Sequence, residues 1–485
     1  MRNIRTYLED NRWEATLFIG LLSLFFLDLI WGDFPVSTGY NLLLFLFLLW
    51  FSLRRLKARL GLLFFSASVF FFLAARPLMD VLTNFRMHVP FNYHFPAAHR
   101  ANLMISCSML ALIMGQMLYE WYFGEGKTAH GAPWPKEGVR RWMAPAAWGL
   151  FGLSLLALWT TSLERVAFRR SHSYTALYAA FRSQLPFVIL GLSALCVGFF
   201  LVVLCTSKSR KAFYWALGLY TASTGIVLFA GVRANFIKSL MVALFLWVGR
   251  DVLKRKLSWK DQGRLLLAFL VVASLLVGIL TVVGNSRNEL KRRGQFSLPV
   301  QFFYDQSISY IALTRGQEMK AAPLSASPKH YTFGPFIDTL TRKKALGAYS
   351  LDYVKQGNSF AADIAYYLYG ENALKGVGLG SSYIIETYLD FGYVGLGCYS
   401  LLLGGLLASL SAIRWRNYFL DAVKLRILLE IFYIPRAPAT QMILNLAMPQ
   451  FLLPIGGLWL FGMLLHRLRP QGPKRLKGLC AKEGL

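Results

Sequence analysis

The chain alternates between long apolar runs and short polar connections over nearly its whole length. A run of about 20 apolar residues lets an α-helix cross the hydrocarbon core of a bilayer. In that core a helix can satisfy all of its own backbone hydrogen bonds. Twelve runs reach or approach this length: 14–31, 38–53, 60–80, 101–123, 143–161, 185–206, 212–230, 236–249, 265–284, 391–412, 422–434 and 441–466. The pattern predicts an all-α integral membrane protein with about 12 transmembrane helices, of which the eighth and eleventh are short.

One polar interval, residues 285–390, is too long to be a simple connection. It divides the chain into nine predicted helices in residues 1–284, a large outer loop with short helices, and residues 391–485 with three helices and a basic tail. Within the loop, residues 359–369 read as a short helix with Ser359 as its N-cap. Residues 376–395, called the closing segment below, run from a glycine-rich turn into the next apolar stretch.

The distribution of basic residues predicts the orientation. Lys and Arg (52) outnumber Asp and Glu (24), which gives a net charge of +28. Such a charge on a soluble protein would suggest nucleic acid, but here 56% of the residues are apolar and only 16% are charged. The basic residues gather at the N-terminus, in every second connection and in the tail. By the positive-inside rule both termini are cytoplasmic and the large loop is outside, and we expect membrane lipids, not nucleic acid, as partners.

Several arginines depart from this rule, because they fall on the predicted outer side. They are Arg169, Arg170, Arg233, Arg287 and Arg436. One interpretation is that they pair with lipid headgroups or nearby acids. The other is that they bind an anionic substrate, for which the planar guanidinium fork suits a phosphate group. The residue types alone leave both interpretations open.

The closing segment carries the clearest candidate for chemistry. Glu386 follows the turn Gly380-Ser381-Ser382 and lies about one turn into the predicted helix. It is either an exposed carboxylate at the membrane boundary or a general base. No phosphate-cradling glycine motif and no metal-ligand spacing of His or Cys occurs in the chain. The sequence therefore predicts neither a nucleotide cofactor nor a bound metal.

Four features together carry a resemblance to a known family. They are the turn Gly231-Val232-Arg233-Ala234-Asn235, the large loop that opens with Arg287, the closing segment with its Phe391-Gly392-Tyr393-Val394-Gly395 end, and Pro435-Arg436-Ala437. This layout resembles the Wzy-type polymerases of O-antigen and related exopolysaccharides, which are close in design to O-antigen ligases.

The resemblance implies a GT-C-like glycosyltransferase in the bacterial inner membrane. It would polymerise undecaprenyl-pyrophosphate-linked oligosaccharide repeat units at the outer face, with a chain-length regulator as a partner. Arg233, Arg287 and Arg436 would bind the pyrophosphate, and Arg169 and Arg170 would guide the substrate. Glu386 is the candidate base, with His330 and Asp338 in reserve.

Two other functions are open to a protein with this layout. An O-antigen ligase joins finished glycan to the lipid A core, and the family's ligases place a His in the closing segment, where this chain has none. A flippase of lipid-linked sugars would be expected to show charges within its spanning helices and internal repeats. This chain shows few such charges and no repeat of the helix pattern. Both points favour the polymerase.

The predicted topology can be tested by cysteine labelling in whole cells. A cysteine placed at Ser325, in the outer loop, should react with a membrane-impermeant maleimide without permeabilisation. Cys480, in the basic tail, supplies an internal control that should react only after permeabilisation. Protection of the cysteine at position 325 in intact cells would contradict the orientation.

Overall fold

The computed structural model describes residues 7, 9–87, 94–124, 134–135, 137–253, 298–321, 328–411 and 417–468. All regular elements in these ranges are helices, in keeping with the predicted all-α class. In chain order the first nine are α1 (Arg12–Trp31), α2 (Phe34–Arg54), α3 (Leu56–Leu82), α4 (Phe95–Phe123), α5 (Glu137–Ser171), α6 (Tyr174–Ala179), α7 (Phe187–Thr206), α8 (Arg210–Ala230) and α9 (Ala234–Trp247).

Ten further helices follow in the second half of the described chain. They are α10 (Leu298–Gln306), α11 (Ser309–Ala321), α12 (Gly334–Leu340), α13 (Leu351–Gln356), α14 (Phe360–Tyr369), α15 (Glu371–Leu374), α16 (Tyr383–Ser411), α17 (Tyr418–Ile431), α18 (Gln441–Ala447) and α19 (Pro449–Leu468). The predicted cap is present, because the Ser359 side chain accepts a hydrogen bond from the backbone N–H of Ala362 at the start of α14.

Within the described ranges, nine helices are long and apolar enough to cross a membrane. The predicted eighth and eleventh spans form α9 and α17, which have only 14 residues each. The predicted span 265–284 lies outside the described residues. The last predicted run is divided between α18 and α19, because Met448 is extended before Pro449, a residue that cannot continue the preceding helix. The total of twelve spans and the GT-C-like arrangement stay predictions.

The bundle is held together by places where helix backbones approach very closely. A Cβ atom on Gly404 of α16 would lie 2.2 Å from the carbonyl oxygen of Leu112 in α4. Likewise, a Cβ on Gly115 would lie 2.0 Å from the carbonyl oxygen of Leu401. Small residues allow such contacts, which drive helix association where the lipid is as apolar as the side chains. The close packing of α4 and α16 therefore fixes the position of the turn that precedes α16.

Part of the predicted outer loop packs between the long helices. Tyr310 of α11 is fully buried, and its hydroxyl donates to the carbonyl oxygen of Ala98 and to Asn102 Oδ1, both at 3.0 Å. The side-chain amide of Asn102 in turn donates to Ser37 and Thr38 of α2. This buried polar network ties the loop to α2 and α4 at the end of the bundle where α16 begins, called the site end below.

The close contact of α4 with α16 predicts a stability loss on substitution. Gly404→Ala should lower the free energy of unfolding by about 1–3 kcal/mol, since the two backbones must separate. Gly397→Ala is the matched control in the same helix, because a Cβ there meets nothing within 4 Å. Urea unfolding of the purified protein in detergent micelles measures both. Equal stability of the two variants would contradict the proposed close contact.

Candidate functional site

The closing segment presents a buried carboxylate at the start of α16. Glu386 is 1% exposed, so the boundary-exposed interpretation does not fit the structure. Its Oε1 accepts a hydrogen bond from the hydroxyl of Ser381 at 2.5 Å, and its Oε2 accepts one from the backbone N–H of Ala439 at 2.8 Å. The carboxylate thus joins the turn before α16 to the segment that follows α17. Tyr383 anchors the same helix turn through a 2.6 Å hydrogen bond between its hydroxyl and that of Ser108.

Arg436, on the segment that follows α17, lies against the turn that precedes Glu386. Gly380 has a left-handed φ of +87°, and a Cβ there would lie 3.8 Å from Arg436 Cγ and 4.0 Å from its Nε. The left-handed φ favours glycine at position 380, and the Arg436 side chain packs against the turn that carries Ser381. The Nη1 of Arg436 donates to the carbonyl oxygen of Gln306 at 3.3 Å. Glu386 and Arg436 thus contact neighbouring residues of one turn, Glu386 at Ser381 and Arg436 at Gly380.

A second carboxylate fixes the loop that lies over this region. Asp390 accepts hydrogen bonds from the backbone N–H groups of Tyr331, at 3.2 Å, and Thr332, at 2.7 Å. The hydroxyl of Thr440 donates to the carbonyl oxygen of Thr332 at 2.6 Å. Residues 331–332, the closing segment and the segment after α17 therefore form one hydrogen-bonded unit around Glu386.

The remaining predicted arginines lie in different surroundings. Arg233 is 8% exposed and directly precedes α9, after the left-handed turn at Gly231. Arg169 is half-buried and donates to the carbonyl oxygen of His172, while Arg170 is exposed. Arg287 lies outside the described residues. The convergence of Arg233, Arg287 and Arg436 on one cavity stays a prediction.

Helix packing nonetheless places Arg233 and Arg436 at the same end of one helix pair. The Nζ of Lys238 in α9 lies 2.7 Å from Glu430 Oε2 in α17. Arg233 is just over one turn before Lys238, and Arg436 follows the end of α17. Because the two helices are joined at this ion pair, both arginines lie toward the site end.

The two reserve bases are less suited to proton transfer. The Asp338 carboxylate is 1% exposed and accepts hydrogen bonds from the Tyr353 hydroxyl and from the backbone and side-chain N–H groups of Asn358. These contacts give Asp338 a structural role, because they hold α12 against the segment from Tyr353 to Asn358. His330 is exposed. In the part of the chain that the structure describes, no three His, Cys, Asp or Glu residues could hold a metal ion.

A buried ion pair stabilises the same loop. Lys329 lies 2.8 Å from Asp363, which also accepts from the Tyr331 hydroxyl. Burial raises the pKa of Asp363 to about 6, and the Lys329 charge opposes that rise. Because Lys329 and Tyr331 flank His330, this pair positions the chain that leads to Thr332.

Sequence reasoning missed the ion cluster between α9 and α17. Glu430 is held by Lys238 and also by Arg426 Nη1 at 2.9 Å, and the exposed fractions of the three side chains are 9–21%. Lys238 and Glu430 are 192 residues apart. One signal could have predicted this cluster. Lys238 and Glu430 have opposite charges and both lie in apolar runs, where a charge is costly unless it is paired.

These features define a multi-pass helical membrane protein with a buried polar site at one end of its bundle. The chain belongs to the O-antigen polysaccharide polymerase Wzy family, whose family model matches residues 15–467. The family predicted from the closing segment and the outer arginines is thereby confirmed, and with it a broad role in polymerising lipid-linked repeat units during polysaccharide biosynthesis. No match was found among curated proteins or among solved structures.

The ion cluster generates a prediction about stability. Lys238→Gln and Glu430→Gln should each lower the free energy of unfolding by about 1–3 kcal/mol. Lys238→Gln leaves Glu430 with Arg426 alone, and Glu430→Gln leaves both cations without their carboxylate. The double variant should lose less than the sum of the two. Urea unfolding in detergent micelles measures the coupling.

The pair Lys208–Glu137 provides the matched control, because its side chains are 73% and 61% exposed. The same double-variant cycle on this pair should give a coupling of at most about 1 kcal/mol. Strict additivity at Lys238 and Glu430 would show that the two charges do not stabilise each other.

Proposed function

We propose that this protein joins oligosaccharide repeat units carried on undecaprenyl pyrophosphate, at the outer face of the bacterial inner membrane. The donor is the growing glycan, and the acceptor is a sugar hydroxyl of a new lipid-linked unit. The observation that carries the proposal is that Glu386 and Arg436 both contact the Gly380-Ser381 turn, Glu386 through Ser381 and Arg436 against Gly380. A general base and a phosphate-binding cation are the two groups that this transfer needs.

In the proposed step, the acceptor hydroxyl attacks the anomeric carbon of the donor sugar. A new glycosidic bond forms as the bond to the pyrophosphate oxygen breaks, and undecaprenyl pyrophosphate leaves. The hydroxyl proton passes to Glu386 through Ser381, which already donates to its Oε1. Product release returns that proton to solvent. No oxidant, nucleotide or metal is needed, because the donor is already activated.

Arg436 stabilises the charge that develops on the leaving pyrophosphate. Its guanidinium lies between the closing segment and α10, where it is half-buried and its charge is weakly screened. Arg233 and Arg287 complete the phosphate site in this proposal, and Arg169 and Arg170 guide the anionic substrate toward it. A chain-length regulator is the protein partner in this proposal.

The family assignment favours the polymerase over a flippase. An O-antigen ligase would need a lipid A core as its acceptor, and the closing segment contains no His. A reaction of purified protein with lipid-linked repeat units alone separates the two: a polymerase makes longer glycan, whereas a ligase makes none without the core acceptor.

The proposed base predicts the behaviour of Glu386→Gln. A glutamine can still accept from Ala439 N and donate to Ser381 Oγ, so the fold should be retained. Polymer formation from lipid-linked repeat units should fall by about 10²–10⁴-fold, as expected for loss of a general base. Gel separation of the polymer products measures the rate, and thermal unfolding in detergent checks the fold.

Asp338→Asn is the matched control, because the added amide N–H groups would face the donors of Asn358 and Tyr353. This variant should lose stability, with activity falling only in proportion to the folded fraction. Arg141→Lys, an exposed change at the opposite end, should be silent. Full polymer formation by folded Glu386→Gln would reject Glu386 as the base.

A further inference from the structure

Arg76 is a buried cation near the site end of α3, on a helix that sequence reasoning did not connect with the site. It is 6% exposed, and its Cζ lies 4.0 Å from the centre of the Tyr304 ring. Among the residues that the structure describes, its Nε and Nη1 have no hydrogen-bond partner. A buried charge with unused donors is costly, and in membrane proteins such residues mark ligand sites.

The surroundings of Arg76 connect it to Arg436. The Cζ of Arg436 lies 6.0 Å from the Phe72 ring, and Phe72 is about one helical turn before Arg76. Arg436 also donates to the carbonyl oxygen of Gln306, which is two residues beyond Tyr304 in α10. Both guanidinium groups therefore lie between the same stretch of α3 and the same end of α10. Arg436 contacts Gly380, and Arg76 lies about one helical turn beyond Phe72 on the same helix.

Asp80, one turn beyond Arg76, is the nearby opposite charge that any role of Arg76 must take into account. Burial raises the pKa of the Tyr304 hydroxyl, the Arg76 charge opposes that rise, and the Asp80 charge adds to it. Both charges thus act on the same ring. Burial likewise raises the pKa of Tyr369, again opposed by Arg76. An ion pair with Asp80 is the simplest structural role for Arg76, but it leaves the two unused donors unexplained.

We propose that Arg76 is a second phosphate-binding residue of the site, with Nε and Nη1 donating to oxygens of the diphosphate while Arg436 binds the other side of the same group. The inference rests on the proposed function, since it takes the lipid diphosphate as the ligand. Tyr304 holds the guanidinium in place by a cation–π contact, with Cζ 4.0 Å from the ring centre. The buried position raises the strength of each phosphate contact.

The test measures binding of undecaprenyl pyrophosphate to the purified protein in nanodiscs, by native mass spectrometry and by thermal stabilisation. Arg76→Gln should weaken this binding by about tenfold or more, the loss expected when a charged hydrogen-bond donor is removed. Arg76→Lys retains the charge beside Asp80 and so retains the fold, but it should still bind several-fold more weakly, because a point charge replaces the guanidinium.

Asp80→Asn separates the proposal from a simple ion pair. If Arg76 binds phosphate, Asp80→Asn should bind the lipid as well as the wild type or more tightly, and Arg76→Gln/Asp80→Asn should stay weak. Recovery of binding in that double variant would show that Arg76 only balances Asp80, and would overturn the proposal. Wild-type binding by Arg76→Gln alone would do the same.

Two further comparisons show which phosphate Arg76 binds, and whether a negative result rejects the proposed donor or only the role of Arg76. Phosphatidylglycerol, added in place of undecaprenyl pyrophosphate, should stabilise the wild type and Arg76→Gln equally. If phosphatidylglycerol stabilises the wild type but not Arg76→Gln, Arg76 binds a membrane headgroup and the proposal is overturned. If the wild type itself does not bind undecaprenyl pyrophosphate, the proposed donor is wrong. If the wild type binds it and Arg76→Gln binds equally well, only the role of Arg76 is wrong.

Discussion

Inside a bilayer, backbone groups that leave a helix must find partners within the protein, and this constraint organises the site. The chain is non-helical at residues 375–382 and again at residues 437–440, close to the buried start of α16. Ala439 and Thr332 are buried, and carboxylates accept from their backbone N–H groups. Glu386 accepts from Ala439, and Asp390 accepts from Tyr331 and Thr332. Glu386, the proposed base, is thus also one of the carboxylates that join these non-helical segments.

The same constraint separates structural charges from functional ones. At the opposite end of the bundle, the fully buried Arg59 donates to Glu14 and Glu120 and lies 3.5 Å from the Phe51 ring centre. That guanidinium is satisfied on every side and binds helices α1 to α4 into one unit. Arg76, on the same helix as Arg59, has unused donors within the described chain. Two buried arginines on one helix therefore differ: each nitrogen of Arg59 has a hydrogen-bond partner, whereas Nε and Nη1 of Arg76 have none within the described chain.

The fold class, most helix bounds and the Ser359 cap could be predicted, because apolar length and capping chemistry are local properties. The burial of α11 could not be predicted. It depends on the hydrogen bonds of Tyr310 with Ala98 and Asn102, which are more than 200 positions away in sequence. Glu386 could be singled out from its position after the Gly-Ser turn. Its burial could not, because Ala439, the residue that satisfies it, is 53 positions away. A helix that is apolar on all sides has no sequence pattern that marks its inner face. The sequence therefore could not show whether Arg76 faces lipid or the interior of the bundle.

The kink at Gly392 connects these local facts with the proposed reaction. Gly392 has φ +66° inside α16, which a side chain would strain, so the helix bends between Asp390 and the long apolar part. The first turns of α16, with Glu386, can therefore lie at a different angle from the part that packs on α4. Both proposed substrates carry lipid tails, so their phosphates lie at one depth near the membrane surface. In the proposed reaction, this bend allows the Glu386 end of α16 to face that depth while the long apolar part stays packed on α4.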